Sequence, residues 1–255
     1  MIHTLKKHQF LLEELVKRDF ITKYKGTVLG MAWSVLNPLL TLLIMRVVFS
    51  HFFGGSIEHY TTYLFCGNII FSFFNESTSQ GMLALRVNAP IFTKVNVPKY
   101  IFILSRTSQT FINFLLTLAV FFVLCLFDGI TFSWKFVALI YPVFMLVAFT
   151  LGVGLVLSAL HVFFRDIQYL WTVFLQLLTY VSAIFYSIDT FPQMIQNLFL
   201  ANPVYLFIRY FRKVVIDGTI PSVGFHLLMA FDALLFLAIG AWIYKKYNHE
   251  FLYYV

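Results

Sequence analysis

Charged residues are scarce in this sequence. Asp, Glu, Lys and Arg make up 11% of its 255 residues, whereas 60% are hydrophobic. A soluble domain of this size carries about 25% charge, because its surface must be hydrated. The composition therefore excludes a soluble enzyme and a disordered chain, and it predicts that lipid surrounds most of the protein.

Cysteine is almost absent, and so are the loops that bind nucleotides. The two cysteines, Cys66 and Cys125, lie in apolar runs, which excludes a disulfide framework, and their spacing does not suggest a metal site. The sequence contains no Gly-x-x-x-x-Gly-Lys-Ser/Thr loop and no Gly-Lys pair. We therefore expect that this chain binds no metal or cofactor, and that ATP, if it drives the protein, is bound with Mg by a partner chain.

Long apolar runs are what the sequence does contain. A helix needs about 20 apolar residues to cross about 30 Å of hydrocarbon. We predict an all-α integral membrane protein with six transmembrane helices. The six runs cover residues 31–53, 61–83, 101–127, 136–160, 169–187 and 225–244.

The basic residues predict how these helices are oriented. Thirteen of the 18 Lys and Arg lie on the side of the membrane that holds both termini. Because basic loops stay in the cytoplasm, both termini are predicted to be cytoplasmic. The net charge of +7 then reflects orientation in a membrane, and no nucleic-acid partner is needed to explain it.

The segment before the first run predicts an amphipathic helix in the cytoplasmic interface. One helical face is apolar and the other is charged, as in helices that lie along a membrane surface. We expect this helix to end near Asp19, whose charge would intrude on the apolar face. The apolar face contains Leu5, Leu12, Leu15 and Val16, and the charged face contains Lys6, Lys7, Glu13, Glu14 and Lys17.

Residues 188–224 predict two short helices on the outer side, about 192–201 and 203–216, which are re-entrant or interfacial. Asn202 is the expected N-cap of the second helix and Pro203 its first residue. Arg209, Arg212 and Lys213 share one face of that helix. This face could hold the phosphate of a lipid-linked substrate, or it could contact lipid headgroups.

A few ionisable residues lie inside the predicted spans. Glu76 belongs to a polar run from Asn75 to Gln80, which must face the interior of the bundle, a subunit contact or a watery path. Asp232 requires a partner that the sequence does not identify. His161 and Asp166 have the His-x-x-x-x-Asp spacing of glycerolipid acyltransferases, which makes a membrane acyltransferase one alternative function.

The stretch from Lys23 to Leu39 (KYKGTVLGMAWSVLNPL) carries a family resemblance, which continues in Val48 to Ser50, Asn88 to Pro98, His161 to Ile167, and Asn202-Pro203. In order along nearly the whole chain, these segments resemble the membrane subunits of type-2 ABC exporters of bacterial polysaccharides. That family includes the permeases for O-antigen, capsule and teichoic acid. The resemblance implies no catalytic residue in this chain.

The resemblance implies a homodimer in the bacterial cytoplasmic membrane that works with two copies of a separate ATPase. ATP-driven closure of the ATPase pair would separate the first and fifth spans, and a glycan on polyprenyl diphosphate would pass outward between them. An ATP-independent flippase for lipid-linked glycans is the other alternative. The expected ATPase-coupling helix comprises Ala89, Pro90, Ile91, Phe92, Thr93, Lys94, Val95, Asn96, Val97, Pro98 and Lys99.

The whole chain, 1–255, is then one ABC type-2 transmembrane domain. Its predicted parts are an interface helix in 1–27, spans one to five in 31–187, outer gate helices in 188–224 and span six in 225–244. The functional residues that we predict are Lys17, Arg18, Lys23, Tyr24, Lys25 and Gly26 in the interface helix; Trp33, Asn75, Glu76, Tyr180 and Tyr186 in the channel; and Asn202, Pro203, Arg209, Arg212 and Lys213 in the outer gate.

Overall fold

The computed structural model describes residues 8–55 and 57–254, and throughout those ranges the regular structure is helical. Leu5, Lys6 and Lys7 of the predicted amphipathic helix lie outside the described residues. Two short 3-10 turns, Gly30–Ala32 and Trp134–Leu139, precede the second and the sixth α-helix. The α-helices are α1 Gln9–Tyr24, α2 Trp33–Phe53, α3 Tyr60–Val87, α4 Ala89–Phe92, α5 Tyr100–Phe127, α6 Ile140–Phe163, α7 Ile167–Val181, α8 Gln193–Phe199, α9 Pro203–Val215, α10 Val223–Tyr247 and α11 Phe251–Tyr254.

Four helical stretches are long and apolar enough to cross a membrane, which makes this a membrane protein. They are Gly30–Phe53, Tyr100–Phe127, Trp134–Phe163 and Val223–Tyr247. These four agree closely with predicted spans one, three, four and six. Helix α3 has 28 residues, but its polar run from Asn75 to Gln80 makes it less apolar.

The predicted fifth span, 169–187, is wrong in its extent. Helix α7 has 15 residues and ends at Val181, so at 1.5 Å per residue it reaches about 22 Å. Beyond it, Ala183 has a φ of +48°, which a right-handed helix cannot accommodate. The carbonyls of Ala183 and Ile184 instead accept hydrogen bonds from the guanidinium of Arg212.

Helix α3 lies at the centre of the molecule, where it packs against α2, α5, α6, α7 and α9. Most of its side chains are buried, from Tyr60 at one end to Leu85 at the other. Gly81 lets α3 approach α6 closely, since a Cβ at that position would lie 3.2 Å from Gly154 Cα. Small residues at such crossings are how membrane helices gain van der Waals contact.

The closest helix pair is α6 and α10. A Cβ on Gly152 would lie 2.5 Å from the backbone nitrogen of Leu237, a distance that real Cβ atoms do not reach. At the far end of the pair, the hydroxyls of Ser158 and Tyr244 lie 2.6 Å apart and share a hydrogen bond. The backbones of α6 and α10 are therefore in direct contact at Gly152.

Helix α1 continues to Tyr24, so the prediction that it ends near Asp19 is wrong. Asp19 is only 3% exposed, because it faces α5. Its Oδ2 accepts a hydrogen bond from Ser105 Oγ at 3.1 Å and lies 3.3 Å from Arg106 Nε. A buried carboxylate is tolerated when charged and polar partners replace its water. Leu15 is also buried, while Glu13, Glu14 and Lys17 are exposed as predicted.

The two short helices predicted in residues 188–224 are present as α8 and α9. Asn202 Oδ1 accepts a hydrogen bond from the backbone nitrogen of Val204 at 3.0 Å, and Pro203 is the first helical residue, as expected. Helix α9 is more deeply placed than its sequence indicates, since ten of its 13 residues are buried. It packs against α3, α6, α10 and the turn Trp134–Leu139.

Candidate functional site

A cavity of about 400 Å³ opens between the end of α1 and helices α2, α3 and α5. We call it the polar cavity. Its volume is within the roughly 300 to 1,000 Å³ of small-molecule sites. The lining consists of hydroxyls and amides, four aromatic rings and one pair of opposite charges, together with Pro38 and Ile69. These residues are Thr27, Ser34, Asn37, Thr41, Asn68, Ser72, Thr110, Asn113 and Thr117; Tyr24, Trp33, Phe73 and Phe114; and Lys23 and Glu76.

Helical spacing brings these polar residues together. On α2, Trp33, Asn37 and Thr41 are four residues apart and therefore share one face. On α3 the same spacing holds for Asn68, Ser72 and Glu76. Thr110, Asn113 and Thr117 of α5 are three and four residues apart. Each helix thus contributes one polar stripe, and the three stripes face the same space.

Lys23 and Glu76 form an ion pair across this cavity. The Nζ of Lys23 donates to Oε1 of Glu76, and about one third of each side chain is exposed. The sequence left three environments open for the polar run: the bundle interior, a subunit contact or a watery path. Glu76 lies on a cavity wall, which corresponds to the third. Ser77 and Thr78 next to it are buried in the bundle. The polar run therefore serves two faces of α3.

Asn113 is a deeply buried amide that lines the polar cavity, with 6% exposure. Its Oδ1 accepts a hydrogen bond from the hydroxyl of Tyr24 at 3.0 Å. Its Nδ2 has no hydrogen-bond partner among the described residues. A buried donor without an acceptor costs free energy, so a shift of this side chain that brings Nδ2 to an acceptor in the cavity would be favourable.

The structure does not bring all the predicted channel residues together. Trp33 and Glu76 line the polar cavity together. Asn75 does not line it, and its Oδ1 accepts from Ser79 Oγ at 3.3 Å. Tyr180 and Tyr186 lie at the end of α7, where the Tyr186 hydroxyl donates to the carbonyl of Tyr180 at 2.8 Å.

Of the predicted outer-gate residues, Arg212 is only 7% exposed and faces the interior. Its guanidinium donates to the carbonyls of Ala183 and Ile184, both at 2.9 Å, and to that of Tyr63 at 3.3 Å. It also stacks on the Tyr63 ring, 3.4 Å from the centroid. Gly67 leaves room for it, since a Cβ there would lie 3.0 Å from Nη2. Burial lowers the pKa of Arg212.

The expectation that Arg212 contacts phosphate or lipid headgroups is therefore corrected, because its guanidinium donates four hydrogen bonds to protein carbonyls. Arg209 and Lys213, with an edge of Arg212, line an outer pocket of about 270 Å³ that also contains Glu58, Asp189 and Asp217. Three carboxylates balance the three basic groups, so this pocket has no surplus of positive charge. A phosphate would not be strongly attracted there.

The predicted coupling helix over Ala89 to Lys99 is also shorter than expected. Only Ala89–Phe92 is helical, and the chain stays irregular up to α5. Proline disfavours helical geometry in the residue before it, so Pro98 prevents Val97 from continuing a helix. Phe92 and Val97 are buried and anchor the segment. Its exposed residues are Pro90, Thr93, Lys94, Val95 and Asn96.

Two buried contacts tie the ends of this segment to other helices. Asn88 Oδ1 accepts from the guanidinium of Arg18 on α1 at 2.8 Å. The Nζ of Lys99 donates to the carbonyl of Asn248 at the end of α10, and burial lowers the Lys99 pKa. Lys99 therefore has a structural role, whereas Lys94 and Val95 are exposed and could contact a partner protein.

The structure does not assemble the alternative acyltransferase site. His161 is buried in α6, and Asp166 is exposed before α7. No hydrogen bond or ion pair joins the two residues within the described ranges, so the aspartate does not orient the imidazole as a base. Asp232 on α10 likewise makes no ion pair in the part of the chain that the structure describes.

The cavity residues that sequence reasoning missed include Thr41, Asn68, Ser72, Thr110, Asn113 and Thr117. All but Thr110 are single polar residues within apolar stretches, and Thr110 ends the polar run from Ser105, so each could be explained there as a neutral packing residue. The available signal was their spacing of three and four residues, repeated in neighbouring helices.

Comparisons with known proteins assign the chain to a family. A family model described as ABC-2 type transporter matches residues 11–216. The chain is 28% identical over 243 residues to the O-antigen export system permease protein RfbA of Klebsiella pneumoniae, covering 94% of this chain and 93% of that protein.

Two further relatives extend the comparison. The O-antigen export system permease protein RfbA of Myxococcus xanthus is 26% identical over 255 residues, which cover 98% of this chain and 97% of that protein. The polysialic acid transport protein KpsM of Escherichia coli is 24% identical over 248 residues, which cover 94% of this chain and 95% of that protein. A family match over most of the chain and relatives that align over nearly their whole length lead to the same conclusion: the chain belongs to the ABC-2 type transporter family.

Proposed function

We propose that this chain is the permease subunit of an ATP-driven exporter. Its cargo is a polysaccharide of the O-antigen, capsular or teichoic-acid type, linked to polyprenyl diphosphate, and it crosses the bacterial cytoplasmic membrane. Two copies of the chain pair with two copies of a separate ATPase that binds ATP and Mg. The observation that carries the proposal is similarity over nearly the full length to permeases named for O-antigen export and polysialic acid transport.

In this proposal the membrane is crossed six times. Helices α3 and α7 are added to the four apolar stretches, with the irregular residues after Val181 completing the crossing of α7. The carbonyls of Ala183 and Ile184 accept hydrogen bonds from Arg212, so these backbone groups are satisfied within the protein and need no partner from the lipid. Helices α8 and α9 form a re-entrant outer gate, and both termini are cytoplasmic.

Coupling to the ATPase takes place through residues 89–99. Their exposed tip, Thr93 to Asn96, projects beyond the buried anchors Phe92 and Val97. The Arg18–Asn88 hydrogen bond connects this segment with α1, whose last residues, Lys23 and Tyr24, contact the walls of the polar cavity. A push on the segment is thereby transmitted through α1 to the cavity.

The experiment is co-purification of the chain with the ATPase encoded beside it, together with glycan export by a deletion strain that carries each variant. We expect Val95→Asp to weaken co-purification about tenfold or more, because a charge replaces an exposed apolar contact at the partner interface. Thr131→Asp, in an exposed turn on the proposed outer side, is the matched control and should pair normally.

Equal pairing of both variants would refute the coupling surface. Glycan export that continues after deletion of the chain would refute the exporter itself. Export that depends on the chain but not on any ATPase would support the ATP-independent flippase instead.

A further inference from the structure

We propose that the polar cavity binds a neutral, hydroxyl-rich sugar ring. This inference rests on the proposed function, because the glycan cargo is the source of that ring. The cavity is a feature of one protomer, between the end of α1 and helices α2, α3 and α5. It would hold a glycosyl unit on the cytoplasmic half of the path before translocation.

The density of amides and hydroxyls is the first reason. Asn37, Asn68 and Asn113 each carry a carbonyl acceptor and an amide donor, the combination that pairs with the hydroxyls of a sugar. Polar residues inside membrane helices are expensive and mark substrate pathways. Three amides from three helices that face one space are therefore better explained by a ligand than by packing.

The unpartnered amide nitrogen is the second reason. Asn113 is 94% buried, its carbonyl oxygen is occupied by Tyr24, and its Nδ2 has no partner among the described residues. A hydroxyl oxygen of a sugar supplies the acceptor that this donor lacks. Tyr24 holds this amide by its carbonyl oxygen, so the unpaired atom is the donor.

Aromatic rings and charge balance define the ligand further. Trp33, which is 38% exposed, gives a flat apolar surface on which the C–H face of a sugar ring can stack, and the buried rings of Phe73 and Phe114 form the wall behind it. The only ionised lining groups, Lys23 and Glu76, neutralise each other. A phosphate would find its cation already paired and a carboxylate beside it, so the lining favours an uncharged sugar over a diphosphate or an anionic lipid headgroup.

The experiment places a photo-crosslinking benzophenone side chain at Thr27, on the exposed rim of the cavity. Val28 is the matched control, because it is the neighbouring residue and is fully exposed. Cells that make their own polysaccharide are irradiated, the chain is purified, and its adducts are identified by mass spectrometry. We expect glycosyl adducts at position 27 and a background level at position 28.

Asn113→Leu tests whether the cavity amide creates this site. It should lower the glycosyl adduct at position 27 about tenfold, as expected for a lost hydrogen bond to the ligand. Thr131→Leu, in the exposed turn between α5 and α6, is the matched polar-to-leucine control and should leave the adduct unchanged. Glycan export is measured in the same cells.

The inference is overturned by phospholipid adducts alone, by equal glycosyl adducts at positions 27 and 28, by an adduct that Asn113→Leu leaves intact, or by no adduct at all. Export distinguishes these failures from failure of the proposed function. If export requires the chain while position 27 gives no glycosyl adduct, only the sugar site is wrong. If export does not require the chain, the exporter proposal fails as well.

Discussion

At the scale of single residues, charged side chains serve the interior of this protein as well as its surface. Arg212 and Asp19 are both predicted to be peripheral, and both are almost completely buried. In each case the charge is neutralised or hydrogen-bonded by groups from distant parts of the chain. Removing either the buried charge or one of its partners leaves the other group unpaired, and this destabilises a fold strongly.

Arg212→Leu provides the first stability prediction. The substitution leaves three carbonyls, those of Tyr63, Ala183 and Ile184, without their donor. Because hydrogen bonds to charged groups contribute about 1.5 to 3 kcal/mol, we expect a loss of about 3 kcal/mol. That loss would lower the midpoint of thermal unfolding by about 6 to 12 °C for a chain of this size.

The measurement is thermal unfolding of the purified protein in detergent, followed by size-exclusion chromatography. Arg209→Leu is the control, since Arg209 is only partly buried and lines the outer pocket. A midpoint for Arg212→Leu equal to that of Arg209→Leu would contradict the structural role that we assign to Arg212.

At the scale of helices, the packing of this protein depends on positions where no side chain fits. Helices α6 and α10 touch at Gly152 and Gly240, and α3 meets α6 at Gly81 and Gly154. Between membrane helices there is little hydrophobic driving force, so close backbone approach supplies most of the attraction. The glycines therefore determine which helix faces pair.

Gly152→Ala is the second stability prediction. The added methyl would overlap the backbone of Leu237 and Phe236, at 2.5 and 2.6 Å, and α10 would have to move away. Overpacking of this kind costs about 1 to 3 kcal/mol. Gly224→Ala on α10 is the matched control, because a Cβ there has no atom within 4 Å.

The same thermal assay in detergent gives the comparison. Gly224→Ala should be neutral or slightly stabilising, since alanine favours a helix more than glycine by about 1 kcal/mol. If Gly152→Ala unfolds at the same temperature as Gly224→Ala, the close contact of α6 and α10 is not present in the protein.

At the scale of the whole molecule, the proposed six crossings place the loops on defined sides of the membrane. If α3 crosses, Glu58 before it and Val95 after it lie on opposite sides. Both are exposed, so cysteines placed there can react. The native cysteines, Cys66 and Cys125, are buried and give little background.

We expect a membrane-impermeant maleimide to label Glu58→Cys in intact spheroplasts, and to label Val95→Cys only after the membrane is opened. Thr131→Cys, in the next proposed outer turn, should behave like Glu58→Cys. Labelling of positions 58 and 95 from the same side would exclude a crossing by α3 and would favour four spans over six.

Much of the helical framework could be predicted from the sequence, because lipid imposes a length and an apolar composition on each span. Helices α2, α5, α6 and α10 follow their apolar runs, and the Asn202-Pro203 pair begins α9 as expected. These features depend on neighbouring residues only. The N-cap and the proline act within one turn of the helix that they start.

The remaining features depend on residues far apart in the sequence. Helix α7 ends at Val181 because of hydrogen bonds from Arg212, and Asp19 is tolerated because of Ser105 and Arg106. The polar cavity is visible only when three helices are placed side by side. Glu76 and Trp33 could be singled out from the sequence, whereas the neutral polar residues are identified only by a spacing that recurs in neighbouring helices.

The Arg212 contacts also impose an order on the synthesis of the protein. Ala183 leaves the ribosome 29 residues before Arg212, whose side chain is the donor for its carbonyl. Until α9 is made, the end of α7 holds backbone carbonyls that lack this donor, and an unsatisfied carbonyl is costly in hydrocarbon. If α7 crosses the membrane as proposed, we therefore expect the stretch from α7 to α9 to enter it as one unit, after residue 212 has been translated.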